Sequence, residues 1–235
     1  MTSRSRYTAD AAGRRILFKS FLETAVRTGI IDPKGKSNAQ IQSEFDRWVR
    51  SWPQDVDLRL IVDHRAALVA SARLAARKGD VHIASVLYAV WTEHWLNGVI
   101  KARAAAVGLN HDMSKEMIRS VQVAGKTTWL LFLLGLPRIS SRHATQIHKL
   151  FEARNSFIHY KWTVLPDSDE KRAEEKLNSL VLAYDRTVEY LQRFENKYLF
   201  SKTKRRLHRI AHVRAVAVQH GVAPGDRSPA APARR

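Results

Sequence analysis

The chain has 235 residues, 45% of them hydrophobic, enough for one good-sized domain with extensions or for two small ones. It contains no cysteine, which excludes a disulfide framework and any thiolate metal site and fits a reducing cytoplasm. The formal net charge of +18 favours polyanionic partners such as nucleic acid.

Residues 1–6 read as a basic end with no apolar run behind it, so no signal peptide is expected. Ala9 to Thr28 reads as a helix with a broad apolar face of Ile16, Leu17, Phe18, Phe21, Leu22, Ala25 and Val26. Gly29 ends it, and Asp32-Pro33-Lys34-Gly35 is a turn. Ser37 or Asn38 caps a short second helix carrying Ile41, Phe45, Trp48 and Val49, and Pro53 stops it. A longer helix starts at Asp55 or Asp57 and runs to about Lys78. Gly79-Asp80 breaks it, and the most apolar helix of the chain follows from His82 to about Val107. So short a link makes the two antiparallel neighbours.

Met113 to about Leu134 reads as one further helix. It includes the eight-residue apolar run Trp129 to Leu136, which is far short of the roughly 20 residues that span a bilayer and reads as buried. Gly135-Leu136-Pro137 stops it, and Ser140 or Ser141 caps the next helix, which continues to Trp162. After the loop Leu165–Asp169 comes a last long helix to Tyr198, with Glu170, Glu174 and Glu175 early, where carboxylates suit the helix dipole. From Ser201 the chain turns basic, with nine Lys or Arg against one Asp. From Gly221 a Pro-Gly-Ser-Ala composition reads as disordered. No convincing period-2 run occurs. The expectation is an all-α antiparallel helical bundle of roughly six or seven helices. Its divisions are an N-terminal helical extension (1–54), the bundle (55–200) and a basic, largely disordered tail (201–235).

The helix ending at Trp162 carries two stripes. Ile147, Leu150, Phe151 and Ile158 are apolar. His148, Glu152, Asn155 and His159 form a separate polar line at i, i+4, i+7 and i+11. Within it, Arg154-Asn155-Ser156-Phe157-Ile158-His159 resembles the Arg-(four to six residues)-His signature of the HEPN superfamily, with the polar residue that commonly follows the arginine present as Asn155. The resemblance implies a small helical bundle and, in many members, a metal-independent endoribonuclease of toxin or defence type.

It further implies a homodimer in which two motif copies face each other in a basic cleft, RNA as substrate, and an antitoxin or other partner protein. By that carry-over, Arg154 binds the phosphate, His159 is acid or base, and Asn155 orients the imidazole or binds RNA. The chemistry suits the residue types. Imidazole titrates near neutrality, and guanidinium is a permanently charged, bidentate phosphate ligand. Arg154 and His159 are roughly 140° apart on an unbroken helix, so one copy does not converge by spacing alone.

Glu93 and Asn97, one turn apart on the most apolar helix, are the expected supporting residues, with Glu93 as partner of Arg154 because an unpaired buried carboxylate is costly. Lys161, Lys202, Lys204, Arg205 and Arg206 are the expected RNA contacts. The family's variant with a tyrosine two residues after the histidine is not matched, since Lys161 stands there and Tyr160 comes one position early. No metal or cofactor is expected. His148, Glu152 and His159, even joined by His94 or His143, lack His-Glu-x-x-His or paired Glu-x-x-His spacing. Gly125-Lys126-Thr127 matches the end of a phosphate-binding loop, but the upstream glycine is missing and no strand precedes it, so that reading is rejected. The competing function is a non-catalytic helical module that binds RNA or a protein partner.

Overall fold

The computed structural model describes residues 11–52, 63–158 and 167–219, and their regular structure is helical throughout. In chain order the elements are α1 (Ala11–Arg27), α2 (Asn38–Arg50), α3 (Arg65–Lys78), α4 (Val81–Ala106), α5 (His111–Ser120), α6 (Val123–Gly125), a π-helical turn (Lys126–Leu130), α7 (Leu131–Leu133), α8 (Ser141–Ile158), α9 (Asp167–Ala183), α10 (Asp185–Tyr198) and α11 (Lys204–Gln219). They fall into two compact units, Leu58–Leu199 and Met1–Asp57 with Phe200–Arg235.

The larger unit is built around α4, which packs against α3, α5, α8 and α9. The cause is its composition. Val81, Ala84, Tyr88, Trp91, Trp95, Leu96, Val99 and Ile100 are all buried, and only a narrow edge with Ile83, His94 and Lys101 is exposed. A helix with so broad an apolar surface becomes the one the others pack against. Trp95 meets Phe194 of α10 edge-on, with ring centroids 5.9 Å apart. An aromatic of this class removes about 150–250 Å² from water, worth about 4–6 kcal/mol before the entropy of ordering it is subtracted.

The α3–α4 turn is as short as expected. Gly79 takes the left-handed conformation (φ 83°), and the Asp80 amide closes back on the Ala75 carbonyl at 3.0 Å. Polar bonds tie this hairpin to α10. Arg73 Nε lies 3.0 and 3.1 Å from the two Asp185 carboxylate oxygens, and Tyr88 donates to Asp185 Oδ1 at 2.9 Å. Arg65 pairs with the buried Glu195 at 3.2 Å.

Three expectations are corrected here. The helix expected from Met113 to Leu134 is broken after Ser120, where Val121 and Gln122 are extended (ψ 123° and 163°). Neither glycine nor proline marks that break, so composition gave no warning. The helix expected from Asp169 to Tyr198 is two helices meeting at Tyr184. The apolar run Trp129–Leu136 is only half buried. Leu130, Leu131, Leu134 and Leu136 face the core, whereas Trp129, Phe132 and Leu133 are 46%, 61% and 70% exposed. The start expected for α3, at Asp55 or Asp57, lies outside the described residues.

The smaller unit joins both ends of the chain. α11 packs along α1 and touches α2. Leu207, Ile210 and Ala211, spaced i, i+3 and i+4, are buried, as are Leu22, Ala25, Val26, Ile41, Phe45 and Phe200 of the same unit. Ser37 starts α2 through a reciprocal capping box with Gln40, its amide donating to Gln40 Oε1 at 2.7 Å and its Oγ accepting from the Gln40 amide at 3.2 Å. The basic segment after Ser201 therefore opens as a packed helix, because those three apolar residues give it a face to bury. The segment from Gly221 lies outside the described residues.

Candidate functional site

On α8 the apolar stripe is seated as expected for Ile147, Leu150 and Phe151, which are buried. Ile158, at the helix end, is exposed. The polar stripe grades outward. His148 is half-buried, while Glu152 and Asn155 are exposed. Arg154 is half-buried, its Nη1 donating to Asn155 Oδ1 at 3.2 Å and its Nε buried without a hydrogen-bond partner. The expected pairing of Arg154 with Glu93 is not formed, and among the described residues no carboxylate makes an ion pair with Arg154. The end of α8 is held by Phe157, whose ring stacks on His82 of α4 at 5.2 Å and 14°. α8 thus ends beside the start of α4, while Glu93 lies 11 residues further along α4, about 16 Å by helical rise. His159 and Lys161 lie outside the described residues.

Glu93 and Asn97 belong to a different cluster, which sequence reasoning missed. Lys126, the first residue of the π-turn, is only 5% exposed, and its ammonium donates to Asn97 Oδ1 at 2.9 Å. Burial pushes the Lys126 amine below its ordinary pKa, and the Glu93 charge works in the opposite sense. The next residue, Thr127, faces α8. Its Oγ lies 3.1 Å from the Val123 and Ala124 carbonyl oxygens and 3.1 Å from His148 Nε2. A threonine hydroxyl has one hydrogen. With that hydrogen directed at a carbonyl, Thr127 Oγ accepts from His148 Nε2–H, and His148 Nδ1 is left as the acceptor nitrogen. The two consecutive polar residues of the π-turn therefore fix Asn97 on α4 and His148 on α8. π-turns of this kind recur at functional sites.

The Gly-Lys-Thr tripeptide rejected as a phosphate loop has this local explanation. A Cβ at Gly125 would stand 2.7 Å from Val121 Cγ1 and 2.8 Å from Trp129 Nε1. Glycine is there so that these two side chains can close over the backbone. The available signal was two polar residues, Lys126 and Thr127, heading an apolar run.

His143 faces the other way. Its Nδ1 is 3.0 Å from Thr187 Oγ1 and its ring stacks on Tyr190 at 4.1 Å. Burial first, then Arg142 and Arg193, hold its pKa below the usual histidine value. Among the described residues no three His, Asp or Glu side chains form a group that could hold a metal ion.

The basic candidates of the smaller unit divide by engagement. Arg206 bonds the Asn38 side chain and the Lys36 carbonyl, so it is occupied internally. Lys204 lies 4.9 Å over the Phe200 ring. Lys202 and Arg205 are exposed, and Arg205 shares one stripe of α11 with the exposed Arg209 and His212 at i, i+4 and i+7.

Taken together, fold and site define an all-α protein with a central-helix bundle, a charged motif at a helix end and, among the described residues, no helix long and apolar enough to cross a membrane. Compared with known protein families, curated proteins and solved structures, the chain finds no match.

Proposed function

We propose that this protein is a HEPN-like, metal-independent endoribonuclease, acting in the cytoplasm as a toxin-type or defence effector, working as a homodimer and answering to an antitoxin or similar partner protein. One observation carries the reading. Arg154 is bonded through Nη1 to Asn155, no carboxylate pairs with it among the described residues, and it stands five residues before His159 in a chain of net charge +18. A guanidinium that no carboxylate of the described residues pairs with suits a phosphate. In the proposed reaction a base takes the 2′-hydroxyl proton, O2′ attacks phosphorus, the P–O5′ bond breaks, and an acid protonates O5′. His159 serves one of the proton steps, Arg154 stabilises the phosphoryl oxygens, and Asn155 orients the imidazole or binds RNA.

The test is cleavage of single-stranded and hairpin RNA by the purified full chain in EDTA. The expected result is products ending in a 2′,3′-cyclic phosphate, with the rate at least about a hundredfold lower in Arg154→Ala and in His159→Ala while far-UV circular dichroism is unchanged. Intact RNA with the unmodified chain, or cleavage by both variants at the unmodified rate, refutes the reading.

A further inference from the structure

α10 separates its charges by face. Of its three acids, Asp185 takes Arg73 and Tyr88, and the buried Glu195 takes Arg65. Glu189 is exposed, and its charge acts on Arg73 of α3. Arg186, Tyr190, Arg193 and Lys197 stand at i, i+4, i+7 and i+11, which puts them within about 60° of arc. The three cations of this stripe are exposed, and it runs for about 16 Å by helical rise. Lys197 lies 4.8 Å over the Tyr198 ring, a contact that leaves its charge uncompensated.

α8 meets the stripe at Tyr190. The Tyr190 ring stacks on His143 at 4.1 Å and 12°, His143 Nδ1 lies 3.0 Å from Thr187 Oγ1, and the Ser140 amide donates to the Tyr190 hydroxyl at 3.1 Å. Three contacts fix this junction, so the cations around it are carried on a rigid base. Arg142, next to His143 in the chain, is exposed, and Arg193 is one turn from Tyr190. α8 holds no acid before Glu152. Among the described residues no carboxylate makes an ion pair with Arg142, Arg186, Arg193 or Lys197.

We infer that this row is a track for the phosphodiester backbone of single-stranded RNA, with Arg142 and Arg193 gripping it at the His143–Tyr190 junction and Arg186 and Lys197 extending it to either side. Like charges in a row repel one another, and a linear polyanion laid along them removes that repulsion at several points at once. Guanidinium groups suit it because they bind phosphate oxygens bidentately. The inference rests on the ribonuclease reading above for the identity of the polyanion, but it uses neither Arg154 nor His159.

The test is fluorescence anisotropy of a labelled 2′-O-methyl RNA strand about 12 nucleotides long with the full chain. Such a strand has no 2′-hydroxyl to attack, so binding is read without cleavage. Arg142→Ala combined with Arg193→Ala is expected to weaken binding about tenfold at about 0.1 M salt and to lower the salt slope by about 1.4, the share of two phosphate contacts to a single strand. Both residues are exposed, so far-UV circular dichroism should not change. Arg77→Ala combined with Lys101→Ala removes the same charge from exposed positions of the same unit, and is expected to weaken binding less than about threefold. No binding by the unmodified chain, equal losses in the two pairs, or displacement of the strand by poly-glutamate as readily as by unlabelled strand overturns the inference. Intact RNA in the cleavage assay with the binding pattern as expected refutes the ribonuclease alone, and cleavage with equal losses in the two pairs refutes the track alone.

Discussion

Lys126→Met isolates the energetics of the polar cluster. Methionine keeps an unbranched side chain of similar length, so little void opens, and what is removed is a charge and one hydrogen bond. The ammonium has three N–H donors. It meets one protein acceptor, Asn97 Oδ1 at 2.9 Å, and among the described residues no carboxylate in ion-pair contact. A hydrogen bond from a charged group contributes about 1.5–3 kcal/mol, while removing an ammonium from water costs several kcal/mol that only a close counter-ion offsets. Glu93 acts on Lys126 through space but is not in contact. The balance favours methionine by about 1–3 kcal/mol at pH 7.

The pH dependence follows from the sign of the shift. The folded-state pKa of Lys126 lies below its ordinary 10.5, so between the two values the unfolded chain binds more protons. Stability of the unmodified protein therefore rises as pH climbs through that window, and the advantage of Lys126→Met shrinks toward zero by its upper end. Urea unfolding at pH 7 and near pH 10.5, followed by tryptophan emission, measures both numbers. Trp91 and Trp95 are buried in the same unit and report its transition. A variant less stable than the parent by 1 kcal/mol or more at pH 7 would refute the reasoning, because Asn97 and Glu93 would then more than offset the cost of burial.

Three further outcomes are expected. Thr92→Val is nearly isosteric but removes the bond of Thr92 Oγ1 to the buried Tyr184 hydroxyl, at 2.9 Å. It should cost about 1–3 kcal/mol of chemical-denaturation stability, largely recovered when Tyr184→Phe is added; additive losses in that cycle would show that the pair is not coupled. In the smaller unit, Arg206→Ala should destabilise by about 1 kcal/mol because it removes the bonds to Asn38 and the Lys36 carbonyl. Arg205→Ala should change stability by under about 0.5 kcal/mol yet reduce the salt slope of RNA binding by about one. The opposite assignment of the two effects, read by thermal melts and salt-titrated anisotropy, would place the polyanion contact on the wrong arginine.

The helical class and the α3–α4 hairpin were legible because they rest on local signals: Gly79, the apolar α4 and the i, i+3, i+4 face of α8. What failed was any feature decided by which of two similar faces turns inward. Residues 129–134 are Trp-Leu-Leu-Phe-Leu-Leu, with no polar residue to mark the solvent side, so the exposure of Trp129, Phe132 and Leu133 could not be read from pattern. The break after Ser120 was hidden for a related reason. Neither Val121 nor Gln122, the two extended residues, is a glycine or a proline. Arg154 and Asn155 were picked out by motif alone, whereas Glu93 was assigned to the wrong cation. Periodicity identified Glu93 as a carboxylate needing company on an apolar helix, but nothing in spacing indicated that Lys126, 33 residues on, is the charge it acts on.

The π-turn is where these lines meet. Its inward residues are polar and bind both neighbours, Lys126 to α4 through Asn97 and Thr127 to α8 through His148. Its outward residues, with α7, are the apolar face. One short segment thus connects the exposed side chains of Trp129, Phe132 and Leu133 to the stripe on which Asn155 lies two turns beyond His148. Such a connection transmits a change only if the segment has two arrangements that both ends bias. The buried ammonium argues for one arrangement: moving Lys126 away from Asn97 without exposing it strands the charge, which is costlier than the hydrogen bond it keeps. The turn is therefore expected to act as a fixed bracket between α4 and α8.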